Sequence, residues 1–203
     1  MSDSPASEEA LPAPRAIRLK ATTPKRERAL IRAAKRGSMT ALDALVAGHW
    51  DGAHRAAFLI VQDAGIAEDI AQEAIVATVG ALDRFDWRRP LRPYLHRIVV
   101  NRSLDWLRAR KSRPEVSLEA VGPPRMEFEP GPDESDLSEQ LLSAMALIEP
   151  EDRAAIVLCH VLDYRSREVA DLLGMDPSTV RSRLSRALER LRIVLEGGDT
   201  DEP

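Results

Sequence analysis

Between Ser178 and Arg192 the chain carries Thr179, Arg181, Ser182, Arg183, Arg186, Arg190 and Arg192, with Glu189 the only acid. Arginine reads guanine edges bidentately and pairs with phosphates, and short hydroxyls let a helix sit deep in a major groove. Val180, Leu184, Leu188 and Leu191 recur at helical spacing on the other side of the same stretch. A solvated amphipathic helix is the plain alternative, but such a helix usually mixes charge signs at i,i+4, and this one does not.

A second constellation lies at Asp83–Pro93, which combines Arg84, Arg88, Arg89 and Arg92 with Phe85, Trp87 and two prolines. Basic side chains can track a backbone while aromatic faces stack unpaired bases, so single-stranded nucleic acid is a natural ligand. Burial of either aromatic as a loop anchor is an equally good reading of that residue taken singly. A third group, Glu68, Asp69, Gln72 and Glu73, suits the opening turn of a helix. It carries no sign of acid–base catalysis, which needs a desolvating pocket to separate two carboxyl pKa values. Cys159 is the only cysteine, so no intramolecular disulfide is possible, and it reads as a small buried hydrophobe. His160 beside it has no further ligands nearby, and His49 reads as a core-edge residue. No cofactor, metal site or catalytic residue is expected.

These groups need helices to hold them. Residues 166–191 read as two helices joined by a tight turn: Val169, Leu172 and Leu173 form one stripe, and Gly174 ends it in a left-handed conformation. Asp176 and Pro177 then suit the cap and first position of the second helix, and Ala170 is small where the two must approach. That is helix-turn-helix grammar. Further upstream, apolar spacing predicts helices over 25–35, from about 40 past Ile60, over 67–82 with Gly65 as separator, and over 94–111. The last of these packs through Leu95, Ile98, Val99 and Trp106, and puts Asn101, Asp105 and Arg108 on another face. Two more helices follow, over 137–148 and from Pro150 onward. No strand pattern, repeat or phosphate-binding glycine loop is visible.

The expected fold is all-α: two small helical domains, 25–111 and 137–195, joined by a flexible, proline-rich acidic linker over 112–136. An N-terminal arm (1–24) and an acidic tail (196–203) read as disordered. The formal net charge of −4 alone argues against a nucleic-acid binder, but charge is segmented. Arg84–Arg113 is strongly basic and Pro114–Glu139 strongly acidic. No stretch is long and apolar enough to span a bilayer and no signal pattern opens the chain, so a cytoplasmic protein is expected.

Taken together, the basic aromatic loop, the acidic linker and the helix-turn-helix resemble the bacterial sigma-70 family, and within it the extracytoplasmic function (ECF) group. In the first domain the likeness rests on Ala67-Glu68-Asp69-Ile70-Ala71-Gln72-Glu73, Ala81-Leu82-Asp83-Arg84-Phe85, Pro93-Tyr94-Leu95-His96-Arg97-Ile98 and the spaced Asn101, Asp105 and Arg108. In the second it rests on Glu168-Val169-Ala170, Leu173-Gly174 and the run Thr179–Ala187. The resemblance implies a dissociable RNA polymerase subunit, not an enzyme, that gives promoter specificity. Asp69, Gln72 and Glu73 match the helix that docks on the clamp helices of core polymerase. Arg84, Phe85, Trp87, Arg88, Arg92, Tyr94, Arg97 and Asn101 match the part that melts and reads the −10 element. Thr179, Arg181, Ser182, Arg183 and Arg186 match the reader of the −35 element. An anti-sigma partner is implied, with no membrane insertion. The sequence departs from the family pattern at Tyr94, where tryptophan is favoured, at Ile75 and Val79, and at Asp163-Tyr164-Arg165, where Gly-Leu-Ser is usual. Ser166 or Asp163 would then have to cap the next helix. The competing reading is a stand-alone helix-turn-helix regulator with a helical sensor domain, which should show an apolar ligand cavity.

Overall fold

A computed structural model describes residues 24–112 and 139–197, which form eight helices and no strand. The expectations for the arm, the linker and the end of the tail lie outside the described residues. The first unit holds α1 (Pro24–Ala34), α2 (Met39–Val61), α3 (Ala64–Gly80), a 3-10 turn (Leu82–Arg84) and α4 (Leu91–Lys111). The second holds α5 (Glu139–Ala146), α6 (Pro150–Ile156), a wider π-type turn (Val157–Val161), α7 (Ser166–Leu173) and α8 (Pro177–Gly197).

Local chemistry sets the boundaries. The Ser38 hydroxyl accepts from the Ala41 amide and opens α2; Asp63 Oδ1 accepts from the Ile66 amide and opens α3. Between them Gln62 adopts φ 57°, and its amide closes α2 on the Phe58 carbonyl. The break therefore falls at Gln62–Asp63, and Gly65 lies inside α3 rather than separating two helices. One consequence is that Glu68, Asp69, Gln72 and Glu73 sit beyond the first turn of α3. The helix dipole, which fades within one turn, does not explain them. The fourth helix also starts earlier than its spacing suggested, so Arg92 and Pro93 lie in its first turn, where proline's missing donor costs no hydrogen bond.

In the second unit neither Ser166 nor Asp163 caps α7. Arg165 occupies that position, and its amide donates to the Glu168 carboxylate at 2.8 Å. Gly174 closes α7 at φ 66°, which glycine reaches without a Cβ penalty. Ala170 and Ala187 are buried, leaving the short turn room to bring α7 against α8.

Helix α2 packs on α1, α3 and α4, while α6 and α7 pack on α8. His49 of α2 meets Glu27 of α1 at 3.1 Å, both largely enclosed. The two units are not separate in space. Ile60, Leu95 and Val99 of the first and Leu142, Val157, Leu158 and Val169 of the second belong to one continuous apolar core. Truncating Leu158 to Ala there would leave a cavity and cost ~2–5 kcal/mol.

Candidate nucleic-acid interfaces

Helix α8 sorts its residues as an amphipathic helix must. Val180, Leu184 and Ala187 are buried against α6 and α7, while Leu188 of the same stripe is exposed. Ser178, Thr179, Arg181, Ser182, Arg186 and Arg190 are exposed on the outer side. The Ser182 hydroxyl donates to the Thr179 carbonyl at 2.9 Å, and Arg186 Nε lies 3.3 Å from the Ser182 carbonyl. Both are local helix bonds that leave the guanidinium of Arg186 able to reach outward. Arg183 differs. It is half-buried, and its Nη1 donates to Asp152 Oδ1 at 2.8 Å, which ties α8 to α6.

A second surface forms where α3 turns into α4. Ala81, Arg84, Phe85, Asp86, Arg89 and Tyr94 line an open cleft of about 490 Å³. The Phe85 and Tyr94 rings stand 5.5 Å apart at 57°, and Tyr94 is exposed. Loop geometry holds this arrangement from beneath. Phe85 and Trp87 are half-buried on a small cluster of Ile31, Leu45, Leu82 and Leu91. Lys35 donates to the Phe85 carbonyl at 3.0 Å, and the Asp86 carboxylate accepts from the Arg88 amide at 3.0 Å. Arg32 and Arg88 both lie over the Trp87 ring, at 4.8 and 5.6 Å from its centre. Trp87 is therefore an anchor with a charged cover, whereas Tyr94 is an open face. Arg84, Arg88, Arg97 and Asn101 are exposed. Arg97 and Asn101 stand one and two turns along α4 from Tyr94, on the same side. Arg92 alone of this group turns away: it donates to the Leu162 carbonyl and covers the Tyr164 ring at 5.1 Å.

The third surface is a cleft of about 320 Å³ between α3 and α4, lined by Ile66, Asp69, Ile70, Glu73, Arg102, Asp105 and Trp106. Glu73 pairs with Arg102 across it, while Asp69 and Gln72 are exposed. Trp106, expected to pack inward, is half-buried and lies under Arg110 at 5.3 Å.

Residues 45–113 match the family model for sigma-70 region 2, and residues 138–191 match that for sigma-70 region 4. An RNA polymerase sigma-E factor of Streptomyces avermitilis is 33% identical over 171 residues, covering 81% of this chain and 90% of that protein. The chain belongs to the sigma-70 family, in its ECF group. Its role is accordingly that of a promoter-recognising sigma factor. The ECF sigma factor SigM of Mycobacterium tuberculosis is 32% identical, covering 78% of this chain and 79% of that one. The solved structure of CnrH with the cytosolic domain of CnrY superposes with a TM-score of 0.62 at 25% identity, over 87% of this chain and 99% of that one. A sigma factor RpoE of Bartonella quintana, solved with the anti-sigma factor NepR, has the same fold at a TM-score of 0.61 and 22% identity, over 75% and 93% of the two chains.

Within this sigma factor each of the three surfaces gathers residues of one group read from sequence, Arg92 and Arg183 apart, and adds others. Arg89 and Asp86 line the aromatic cleft, and their place in a basic loop was the available signal. Arg102 reaches Glu73 from the next helix, which a one-dimensional reading does not pair. Arg153, buried between the two units, gave no signal at all: its run, Asp-Arg-Ala-Ala-Ile, reads as an ordinary helix turn.

Proposed function

We propose that this sigma factor divides promoter recognition between two helical units, 25–111 and 137–195, with residues 112–136 joining them. Helix α8 reads the −35 duplex through Thr179, Arg181, Ser182 and Arg186, and Arg183 sets the pitch of that helix through Asp152. The α3–α4 junction captures the unpaired −10 strand. A base leaving the stack enters the Phe85–Tyr94 cleft, flanked by Arg84 and Arg89, while Arg88 and Arg97 hold the phosphates and Asn101 reads a base edge farther along. Core polymerase docks on the α3 side through Asp69, Gln72 and Glu73. An anti-sigma protein, as in the solved relatives, holds the factor in reserve in the cytoplasm.

The open aromatic–arginine cleft beside the exposed side of α4 carries this reading, since duplex binding alone has no use for it. A ligand-sensing first unit would instead need a chamber. Among the described residues, the apolar void lined by Leu45, His49, Ile75 and Leu95 measures about 20 Å³, room for one water and not for a metabolite.

Permanganate footprinting with core polymerase tests the division. Tyr94→Ala should impair melting of a fully paired promoter by the ~1–3 kcal/mol of one stacked base, and leave −35 duplex affinity unchanged. Equal loss of −35 affinity would reject it.

A further inference from the structure

Helix α1 carries a charge pattern that its own stability does not call for. Lys25, Arg26, Arg28 and Arg32 are all exposed, while Glu27, its one carboxylate, is buried against His49 at 3.1 Å. Among the described residues no carboxylate is in ion-pair contact with any of the four cations. Cations at the start of a helix oppose its dipole. Like charges at i,i+3 and i,i+4, here Lys25 with Arg28 and Arg28 with Arg32, repel each other. A face that is merely solvated is better served by mixed signs.

The helix is seated on the loop of the aromatic cleft. Ile31, fully buried, clusters with Leu45, Leu82 and Leu91, and Phe85 and Trp87 pack against that cluster. The Arg32 guanidinium lies 4.8 Å from the centre of the Trp87 ring. Lys35, just past the end of α1, donates to the carbonyl of Phe85, which lines the cleft. Lys25 and Arg28 precede Arg32 at helical spacing, on the same side of α1. A cationic stripe therefore leads from the cleft back along the helix for about 10 Å, at ~1.5 Å per residue. That exceeds two steps of a nucleic-acid strand at ~3.4 Å each.

We propose that this stripe is a further nucleic-acid site, in which Lys25, Arg28 and Arg32 hold the phosphates of a single DNA strand where it leaves the Phe85–Tyr94 cleft. The proposal rests on the strand-capture reading above. Continuity and charge commit the surface to that occupant. A strand with one base stacked in the cleft must run on over its rim, and α1 forms the rim on the side of Phe85 and Trp87. That rim is cationic and exposes no carboxylate of its own to repel phosphate. Arg32 links the two parts, since it rests on the Trp87 ring and is still exposed. Lys25 and Arg28 would fix the path of the strand without reading its sequence, as phosphate contacts do.

Two double variants of the full chain test this at exposed positions, where folding is not at stake. Lys25→Gln with Arg28→Gln removes both charges, and Lys25→Arg with Arg28→Lys keeps them. The probe is a labelled 12-nucleotide oligothymidylate, since stacking tolerates any base, and anisotropy across a salt series gives affinity and its slope. At low salt the neutral double variant should bind three- to tenfold more weakly than wild type. Its slope of log affinity against log salt should be shallower by about 1.4, at ~0.7 for each phosphate contact on a single strand. The charge-keeping double variant should match wild type in both. Tyr94→Ala should weaken binding at an unchanged slope, because a lost stack removes no charge. A neutral double variant with the wild-type slope would overturn the stripe while leaving the cleft intact. A charge-keeping variant that weakens as much as the neutral one would also overturn it, by showing that the effect is structural. Wild-type binding by Tyr94→Ala would instead reject strand capture in the cleft, so the two failures are told apart.

Discussion

Acid should loosen this protein through His96. The imidazole is 2% exposed, packed edge-on against the Tyr164 ring and hydrogen-bonded to its hydroxyl. Burial first, then the positive fields of Arg92 on its own helix and of His49 on α2, lower its pKa from 6.5 to about 3. The other charges around this contact are Glu168 of α7 and Glu27 of α1, which act on Tyr164. Because the folded-state pKa is depressed, the unfolded state binds the proton more readily throughout the window from pH 6.5 down to 3. The stabilisation is complete above about pH 6.5 and is lost as pH falls toward 3. Each pH unit inside the window is worth about 1.4 kcal/mol, so the loss at pH 5 is roughly 2 kcal/mol. Urea denaturation of wild type and His96→Phe at pH 7.5 and pH 5.0 isolates it. Phenylalanine leaves the Tyr164 hydroxyl unpaired at both values, so its own cost cancels in the pH difference. Wild type should lose about 2 kcal/mol more than the variant between the two pH values. Equal losses would show that His96 titrates normally and that its burial is not maintained in solution.

Arg181→Ala and Arg186→Ala should each weaken −35 duplex binding and reduce the slope of log affinity against log salt by about 1, measured by anisotropy across a salt series. Arg183→Ala should instead lower thermal stability, because it leaves Asp152 half-buried without its partner, with little change in the salt slope. Asp69→Lys combined with Glu73→Lys should weaken binding of core polymerase in the absence of DNA at unchanged helicity; retention as tight as wild type would remove α3 as the docking surface. Asn101→Ala should reduce open-complex formation by ~1–3 kcal/mol while leaving core binding intact, and an effect on −35 affinity instead would refute its place in strand reading.

Much of the fold was legible because helical periodicity is a local property. The α8 stripe of Val180 and Leu184, the Gly174 stop and the small Ala170 all act within a few residues of chain. Boundaries were less so where chemistry overrides habit. Gln62 breaks the chain in a left-handed conformation that glutamine rarely adopts, while the nearby Gly65 continues a helix. Of the candidate sites, exposure is what sequence could not assign. It distinguishes Tyr94, open to solvent, from Trp87, which anchors the loop under two guanidiniums. It likewise separates Arg181 and Arg186 from Arg183. The contact between units was invisible for a plainer reason. Arg153 meets Ile60 across 93 residues of sequence, and backbone carbonyls leave no trace in side-chain identity.

The most direct measurement is run-off transcription from fragmented genomic DNA with core polymerase and this protein, followed by sequencing of transcript 5′ ends. Starts should cluster downstream of one shared pair of −35 and −10 sequences, vanish when the protein is left out, and be lost with Arg181→Ala/Arg186→Ala and with Tyr94→Ala alike. Transcripts no different from those of core polymerase alone would contradict promoter recognition by this chain.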